Sequence, residues 1–203
     1  NRVDTEKMLA RLVSGGHTLV GNEEDADVII VNTCAFTDDA KSEAIDEILS
    51  AVGHKKHSKK KKIIVTGCLP QRYMETLEKE FPEVDAFLGI ADYDNILDTV
   101  EKITKGDKIF GGACGDEFYS GRVLTTPYHY AYLKIADGCN NHCTYCAIPS
   151  IRGKYRSEKM EDLLLEAKGL EKEGVKELIL VAQDVTRYGV DFDGKSHLIE
   201  LVN

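Results

Sequence analysis

The 203-residue sequence lacks the features that would place it in a membrane or an export pathway. No apolar run approaches the roughly 20 residues of a membrane-spanning helix, and no signal-peptide pattern opens the chain. A basic excess is also missing, since 26 Lys and Arg stand against 35 Asp and Glu, whereas a phosphate-binding surface is usually basic. The sequence therefore predicts a cytoplasmic protein that does not bind membranes and is not a general nucleic-acid binder.

Composition indicates a folded chain of one large or two ordinary domains. Hydrophobic residues make up 42% of the sequence, enough for a core, and domains most often contain roughly 100 to 150 residues. The chain opens with Asn1 rather than Met and stops at Asn203, just after an apolar run. We therefore expect it to be a piece of a longer protein and, as such, inactive on its own.

Apolar patterns predict an α/β fold whose first domain covers residues 1–106. The continuous apolar runs at 27–33 and 62–67 are typical of parallel strands covered on both faces, and each precedes a segment with helical spacing, at 38–52 and 70–80. Weaker patterns add helices at 4–14 and 93–105 and short strands at 17–20 and 86–89.

A second domain is predicted at residues 131–203. It follows residues 107–130, whose glycines and absent periodicity indicate a linker. A strand at 131–135, a helix over 157–173 that Ser157 caps, and a strand at 177–182 make up this domain. The buried stripe of the helix is predicted to contain Met160, Leu163, Leu164 and Ala167.

A lysine run opposes the acidic balance of the chain. Residues 54–62 contain six lysines in nine positions. The run is interpreted either as a solvated loop that leaves the preceding helix or as an electrostatic contact with RNA or a ribonucleoprotein.

Three of the six cysteines lie within eight positions, as Cys139, Cys143 and Cys146. Such spacing in a chain with a full core favours metal over disulfides. Three thiolates can hold three irons of a cubane and leave the fourth open to a small chelating molecule. Structural zinc is the alternative, but it needs a fourth ligand, and His142 is awkwardly placed next to Cys143.

Cys34 and Cys68 each follow a predicted buried strand and precede a helix. Both should therefore lie at the carboxyl edge of the first sheet, where α/β folds bind ligands and helix N-termini favour thiolates. The alternative is that both are inert buried residues. Cys114 lies in the linker and is interpreted as a free thiol.

The three-cysteine motif, with Tyr145 before its last cysteine, resembles that of the radical S-adenosylmethionine (SAM) superfamily. The resemblance implies that Cys139, Cys143 and Cys146 hold a 4Fe-4S cluster that binds and reductively cleaves SAM. It also implies a partial TIM-type barrel of which residues 131–203 form the first β/α units. The cofactor contacts carried over are Tyr145, Ala147, Gln183 and Asp184, and no catalytic residue is implied beyond the cluster ligands.

With Asn32-Thr-Cys34 and Gly67-Cys68 in the first domain, the chain resembles the methylthiotransferases. In that family a doubly wound domain binds a second 4Fe-4S cluster through three cysteines. Cys34 and Cys68 match the second and third, and the first is expected upstream of this chain.

Within the family, the runs 67–73, 147–153 and 181–184 resemble the enzymes that methylthiolate the β-carbon of an aspartate in small-subunit ribosomal protein twelve. The alternative is a tRNA methylthiotransferase acting on isopentenyl- or threonylcarbamoyl-adenosine. The resemblance further implies an electron donor such as flavodoxin or ferredoxin, and a monomer.

Other side chains have two interpretations each. Arg152, Lys154 and Arg156 either approach the cofactor carboxylate or an acidic substrate, or form exposed salt bridges. The aromatic run 128–130 either stacks on bases or packs the linker onto a domain.

Overall fold

The computed structural model describes residues 2–58, 60–111 and 121–203. They form two compact units, of which the first begins at Val3 and the second spans Gly121–Asn203. Parallel sheets with helices in both units confirm the α/β class. The domain limits 1–106, 107–130 and 131–203 stay a prediction, and Cys114, predicted as a free thiol, lies outside the described residues.

The first unit contains a four-stranded parallel sheet in the order β1-β2-β3-β4. Its strands are β1 Val28–Thr33, β2 Lys62–Gly67, β3 Ala86–Leu88 and β4 Ile109–Phe110. Its helices are α1 Arg2–Ser14, α2 Asp38–His57, α3 Cys68–Glu80 and α4 Ile96–Lys105. The predicted elements at 27–33, 38–52, 62–67 and 70–80 therefore exist.

Both faces of this sheet are covered because alternate residues of β2 are buried on opposite sides. Ile64 packs in a cluster with residues of α1 and α4, among them Met8 and Val100. Its neighbours Ile63 and Val65 are also fully buried, and α2 and α3 are the other helices that contact the strands. This two-sided burial explains the apolar runs 28–31 in β1 and 63–65 in β2.

Two predictions for the first unit are wrong in part. Residues 17–20 do not form a strand, because Leu19 and Val20 are 41% and 49% exposed and pair with no neighbouring strand. The helix predicted at 93–105 begins instead as a 3-10 helix, Ile90–Asn95, and becomes α-helical only at Ile96.

The lysine run is not a solvated loop in its first half, since α2 continues to His57. Lys55 donates to the Asp85 carboxylate at 2.5 Å, and Lys62 contacts the same carboxylate at 3.2 Å. Lys61 is 9% exposed and its Nζ donates to three backbone oxygens, those of Glu23, Glu24 and Ala26. Lys55, Lys61 and Lys62 therefore hold the first unit together.

The second unit contains a parallel pair, β5 with β8, and a short antiparallel pair, β6 with β7. The strands are β5 Tyr130–Lys134, β6 Ala136–Asp137, β7 Arg156–Ser157 and β8 Glu177–Val181. The helices are α5 Ile148–Arg152, α6 Met160–Lys172, α7 Val190–Asp193 and α8 Leu198–Val202. A 3-10 helix, Val185–Arg187, follows β8. The strand-helix-strand order β5-α6-β8 agrees with the sequence.

Helix α6 differs from its prediction at the cap and in its buried stripe. Ser157 belongs to β7 and Lys159 is the residue that caps the helix. Leu164 is 45% exposed, and the buried residues of the helix are Leu163, Glu166 and Leu170. Glu166 can be buried in this stripe because it pairs with buried Arg122 at 2.7 Å. Sequence periodicity alone assigns a glutamate to the polar surface of the helix.

None of the helices in residues 2–58, 60–111 and 121–203 combines the length and the hydrophobicity that a bilayer crossing requires.

Candidate functional site

The three-cysteine loop, residues 138–147, is closed at its base by backbone contacts. Strand β6 leads into the loop and pairs with β7, which follows it, through the partners Asp137 and Arg156. The Cys139 amide donates to the Gly153 oxygen at 3.1 Å. Gly138 has φ 77°, and a Cβ there would stand 2.2 Å from the Lys154 oxygen. Only glycine fits at this contact, so the chain before the first cysteine packs directly on the chain after the last.

The three thiols differ in exposure. Cys139 is 8% exposed, and its Sγ accepts a hydrogen bond from the Asn141 amide at 3.4 Å. Cys143 is exposed and Cys146 half-buried, and a turn joins them because the Cys146 amide donates to the Cys143 oxygen at 3.0 Å. The loop thus holds its first cysteine on the protein side and presents its second to solvent.

A buried ion pair lies at the same base. One Nη of Arg152 donates to both carboxylate oxygens of Asp137, at 3.1 and 2.9 Å, and the two side chains are 6% and 9% exposed. The Gly138 amide donates to the same carboxylate at 2.8 Å, and Lys134 Nζ lies 3.4 Å from it. Arg152 therefore forms a buried pair rather than an exposed one.

Two asparagines of the loop connect it to the end of β8. Asn140 Oδ1 accepts from the Tyr155 amide at 3.0 Å, and the Tyr155 hydroxyl donates to the Asp184 backbone oxygen at 2.9 Å. Burial raises the pKa of Tyr155, which keeps this hydroxyl a donor. Asn141 Nδ2 donates to the Asp184 carboxylate at 3.4 Å.

The two polar residues predicted after β8 differ in their surroundings. The Asp184 carboxylate also caps the following 3-10 helix by accepting from the Thr186 amide at 3.2 Å and the Thr186 hydroxyl at 2.6 Å. Gln183 is exposed. Asp184 thus makes structural contacts and Gln183 lies exposed at the strand end, and both stay predicted cofactor contacts. Of the other predicted contacts, Tyr145 is 86% exposed and Ala147 half-buried.

The first unit places Cys34 and Cys68 at equivalent positions on adjacent strands. Thr33 and Gly67 are register partners at the ends of β1 and β2, and Cys34 and Cys68 come directly after them. Cys68 is 5% exposed and is the first residue of α3. Cys34 is half-buried in the loop before α2. The structure therefore brings both thiols to one edge of the sheet, as the sequence predicts.

The aromatic run 128–130 belongs to the start of the second unit. The His129 backbone oxygen accepts from the Lys176 and Glu177 amides at 2.9 and 3.1 Å, and the His129 ring lies edge-on to those of Tyr128 and Tyr130. Tyr128 is 80% exposed, His129 is also exposed and Tyr130 is half-buried. These contacts favour packing over the stacking of bases.

Within the described residues, no three His, Cys, Asp or Glu side chains are gathered in a metal-binding arrangement. The donor chemistry nevertheless fits an iron–sulfur group, because three thiols lie on one anchored loop and two more share a sheet edge. His142, considered as a zinc ligand, is exposed.

Sequence reasoning did not identify Asp137, Asn140, Asn141 and Tyr155 as parts of the site. Asp137 stands directly before Gly138-Cys139, but no spacing rule links it to Arg152. The contacts of the two asparagines depend on β7 and β8 lying beside the loop, which only the fold reveals.

Two family models match the chain, each over one unit. The model described as "Uncharacterized protein family UPF0004" matches residues 1–89, which include Cys34 and Cys68. The model described as "Radical SAM superfamily" matches residues 133–201, which include the three-cysteine loop. The second match supports the predicted cofactor class, an iron–sulfur cluster with SAM.

Similar proteins align along the whole chain. One from Thermoanaerobacter sp. (strain X514) and one from Clostridium tetani (strain Massachusetts / E88), each named "Ribosomal protein uS12 methylthiotransferase RimO", are 51% identical over 100% of this chain. A third of that name, from Lachnoclostridium phytofermentans, is 50% identical over 100% of the chain. Along its whole length the chain is similar to radical SAM methylthiotransferases. The resemblance deduced from the cysteine motifs is thereby confirmed.

The chain spans about half the length of the curated methylthiotransferases that it matches, because the alignments cover 47%, 46% and 47% of the three relatives. Cys34, Cys68 and the three cysteines of the loop lie within the aligned part.

Proposed function

We propose that this chain is part of a radical SAM methylthiotransferase that adds a methylthio group to the β-carbon of an aspartate in ribosomal protein uS12. The observation that carries the proposal is the three-cysteine loop anchored between β6 and β7, in a chain about half identical to proteins of that name. The two cysteines at one sheet edge of the first unit support it, since the transfer needs a sulfur source as well as a radical.

Cys139, Cys143 and Cys146 would hold the radical cluster. The chemistry that the bound group supplies is reductive cleavage of SAM, which yields the radical that takes a hydrogen atom from the substrate carbon. Buried Cys139 fixes the group to the loop, while exposed Cys143 and Tyr145 leave its outer side accessible to SAM. Gln183 is the proposed polar contact at the end of β8, and Asp184 acts through Asn141.

Cys34 and Cys68 would hold the auxiliary cluster, whose third cysteine ligand is predicted outside these residues. Cys68 is buried at the start of α3 and Cys34 is half-buried in the loop before α2, so both would hold the group at the sheet edge. The group held there would supply sulfur to the substrate carbon, and a second SAM, leaving as S-adenosylhomocysteine, would supply the methyl group.

The wider architecture follows the same resemblance. Residues 131–203 would begin a partial TIM-type barrel in which β5 and β8 are neighbouring strands. A cytoplasmic monomer that receives electrons from a flavodoxin or ferredoxin completes the proposal.

An assay of methylthiolation tests this function. A protein of the relatives' full length that contains residues 1–203 is reconstituted with iron and sulfide and offered uS12 or tRNA, with mass spectrometry as the readout. We expect one methylthio group in place of a hydrogen on one uS12 aspartate. Cys143→Ala should abolish the transfer, whereas Lys60→Ala, at an exposed position of the lysine run, should retain it. Transfer to tRNA alone would overturn the choice of substrate.

A further inference from the structure

The Asp137–Arg152 pair joins the two ends of the chain segment that carries all three loop cysteines. Asp137 ends β6 directly before Gly138-Cys139, and Arg152 ends α5 after Cys146. One Nη of Arg152 reaches both oxygens of Asp137, at 3.1 and 2.9 Å. The side-chain contact therefore spans the base of the three-cysteine loop.

We propose that Asp137 and Arg152 are positioning residues that hold the three-cysteine loop in the shape that receives iron. The role given to iron rests on the proposed function. The positioning of Cys139 itself rests on the contacts alone.

Asp137 and the chain after Arg152 fix Cys139 from two sides. The Asp137 carboxylate accepts from the Gly138 amide at 2.8 Å, which orients the peptide before Cys139. The Cys139 amide donates to Gly153, the residue after Arg152, at 3.1 Å. A shift of Asp137 therefore moves the peptide that precedes Cys139. A shift of Arg152 moves the Gly153 oxygen that the Cys139 amide contacts.

The backbone contacts that close the base of the loop are few, and the Asp137–Arg152 pair adds a side-chain contact to them. Strands β6 and β7 contain two residues each. Closing a long loop costs entropy that two ladder positions barely offset. A buried ion pair adds to closure only while both partners are present, because removal of one leaves a desolvated charge beside the loop.

A second buried ion pair provides a matched control for the alternative that Asp137 contributes only to general stability. Arg122 and Glu166 lie 2.7 Å apart in the same unit and are 1% and 5% exposed, and Arg122 also donates to the Tyr132 backbone oxygen. Glu166 belongs to α6 and lies outside the three-cysteine loop. Glu166→Gln should therefore lower unit stability without reshaping the loop.

The first test measures thiol alkylation in the iron-free chain, with each cysteine followed by mass spectrometry. In Asp137→Asn the alkylation rate of Cys139 should rise about tenfold as local opening becomes easier, while Cys143, already exposed, changes by less than about twofold. Glu166→Gln should leave the Cys139 rate within about twofold of the unsubstituted chain. Equal Cys139 rates in the two variants would overturn the proposal.

The second test measures iron bound after anaerobic reconstitution. Arg152→Met should bind half the iron of the unsubstituted chain or less, and Arg152→Lys, which keeps a donor and a charge, should restore most of it. Equal iron in Arg152→Met and the unsubstituted chain would contradict the positioning role. These variants also serve if Asp137→Asn fails to fold. If the unsubstituted chain binds no iron, the proposed function fails, and the alkylation rates still decide the positioning of Cys139.

Discussion

Gly67 and Thr33 lie so close that a Cβ atom on Gly67 would stand 2.4 Å from the Thr33 carbonyl oxygen. The two residues are register partners at the ends of β2 and β1, and a cysteine follows each of them. Gly67 also has φ 104°, a value that side chains rarely allow. The approach that brings Cys34 and Cys68 to one edge therefore depends on the absence of a side chain at position 67.

Gly67→Ala should lower the free energy of unfolding by about 3 kcal/mol, because backbone strain adds to a steric clash with β1. Gly106→Ala is the control, since Gly106 has φ 107° but nothing within 4 Å of its Cβ position. It should cost about 1 kcal/mol for strain alone. Urea unfolding measures both, and equal losses would contradict the importance of the Gly67–Thr33 contact.

Lys61→Met should destabilise the first unit by about 2 kcal/mol, because three backbone oxygens lose a charged donor while the aliphatic part of the side chain remains. These oxygens belong to Glu23, Glu24 and Ala26 and lie 2.8, 2.7 and 2.6 Å from Lys61 Nζ. Lys60→Met, at an exposed neighbouring position, should change the unfolding free energy by less than about 0.5 kcal/mol. Similar midpoints for the two variants in urea would show that Lys61 is ordinary surface.

His197 should titrate above its ordinary pKa of 6.5, because hydrogen bonds to Glu200 and then Asp193 favour its charged form. The pKa of Asp193 is correspondingly held below 3.8, chiefly by the Lys195 amide and then by His197. A raised histidine pKa stabilises the fold below the unfolded value, and the contribution is lost as the pH rises through the folded value. The charged contacts of His197 should therefore weaken as the pH rises through its raised pKa.

Proton NMR of the His197 ring measures this pKa directly. Glu200→Gln should move it back towards 6.5, and Glu177→Gln, at an exposed site on β8, should leave it unchanged. A His197 titration that does not respond to Glu200→Gln would contradict the assigned cause.

Much of the fold could be predicted because β1 and β2 are buried on both faces and therefore read as continuous apolar runs. The contacts of buried charged residues could not be predicted from the sequence. From the sequence, the lysine run is typical of solvated surface. In the structure, however, Lys61 donates to the backbone oxygen of Glu23, which precedes β1. Glu166 interrupts the stripe of α6 because its partner, Arg122, comes from a distant segment. Periodicity counts every charged residue as exposed and so fails at such pairs.

The functional site could likewise be predicted only in part. Cysteine spacing and strand order were sufficient to predict the three-cysteine loop and the shared edge of Cys34 and Cys68. The residues that hold the loop, among them Asp137 and Tyr155, became visible only from contacts between segments far apart in sequence.

Iron content tests the central claim, a two-cluster methylthiotransferase, most directly. In a reconstituted protein of the relatives' full length that contains residues 1–203, we expect about eight iron atoms per chain, since each cubane holds about four. Substituting Ala for Cys34 and Cys68 together should leave about four irons and an electron paramagnetic resonance signal that still changes when SAM is added. About four irons in the unsubstituted protein, with no loss in the Cys34→Ala, Cys68→Ala double variant, would contradict the account.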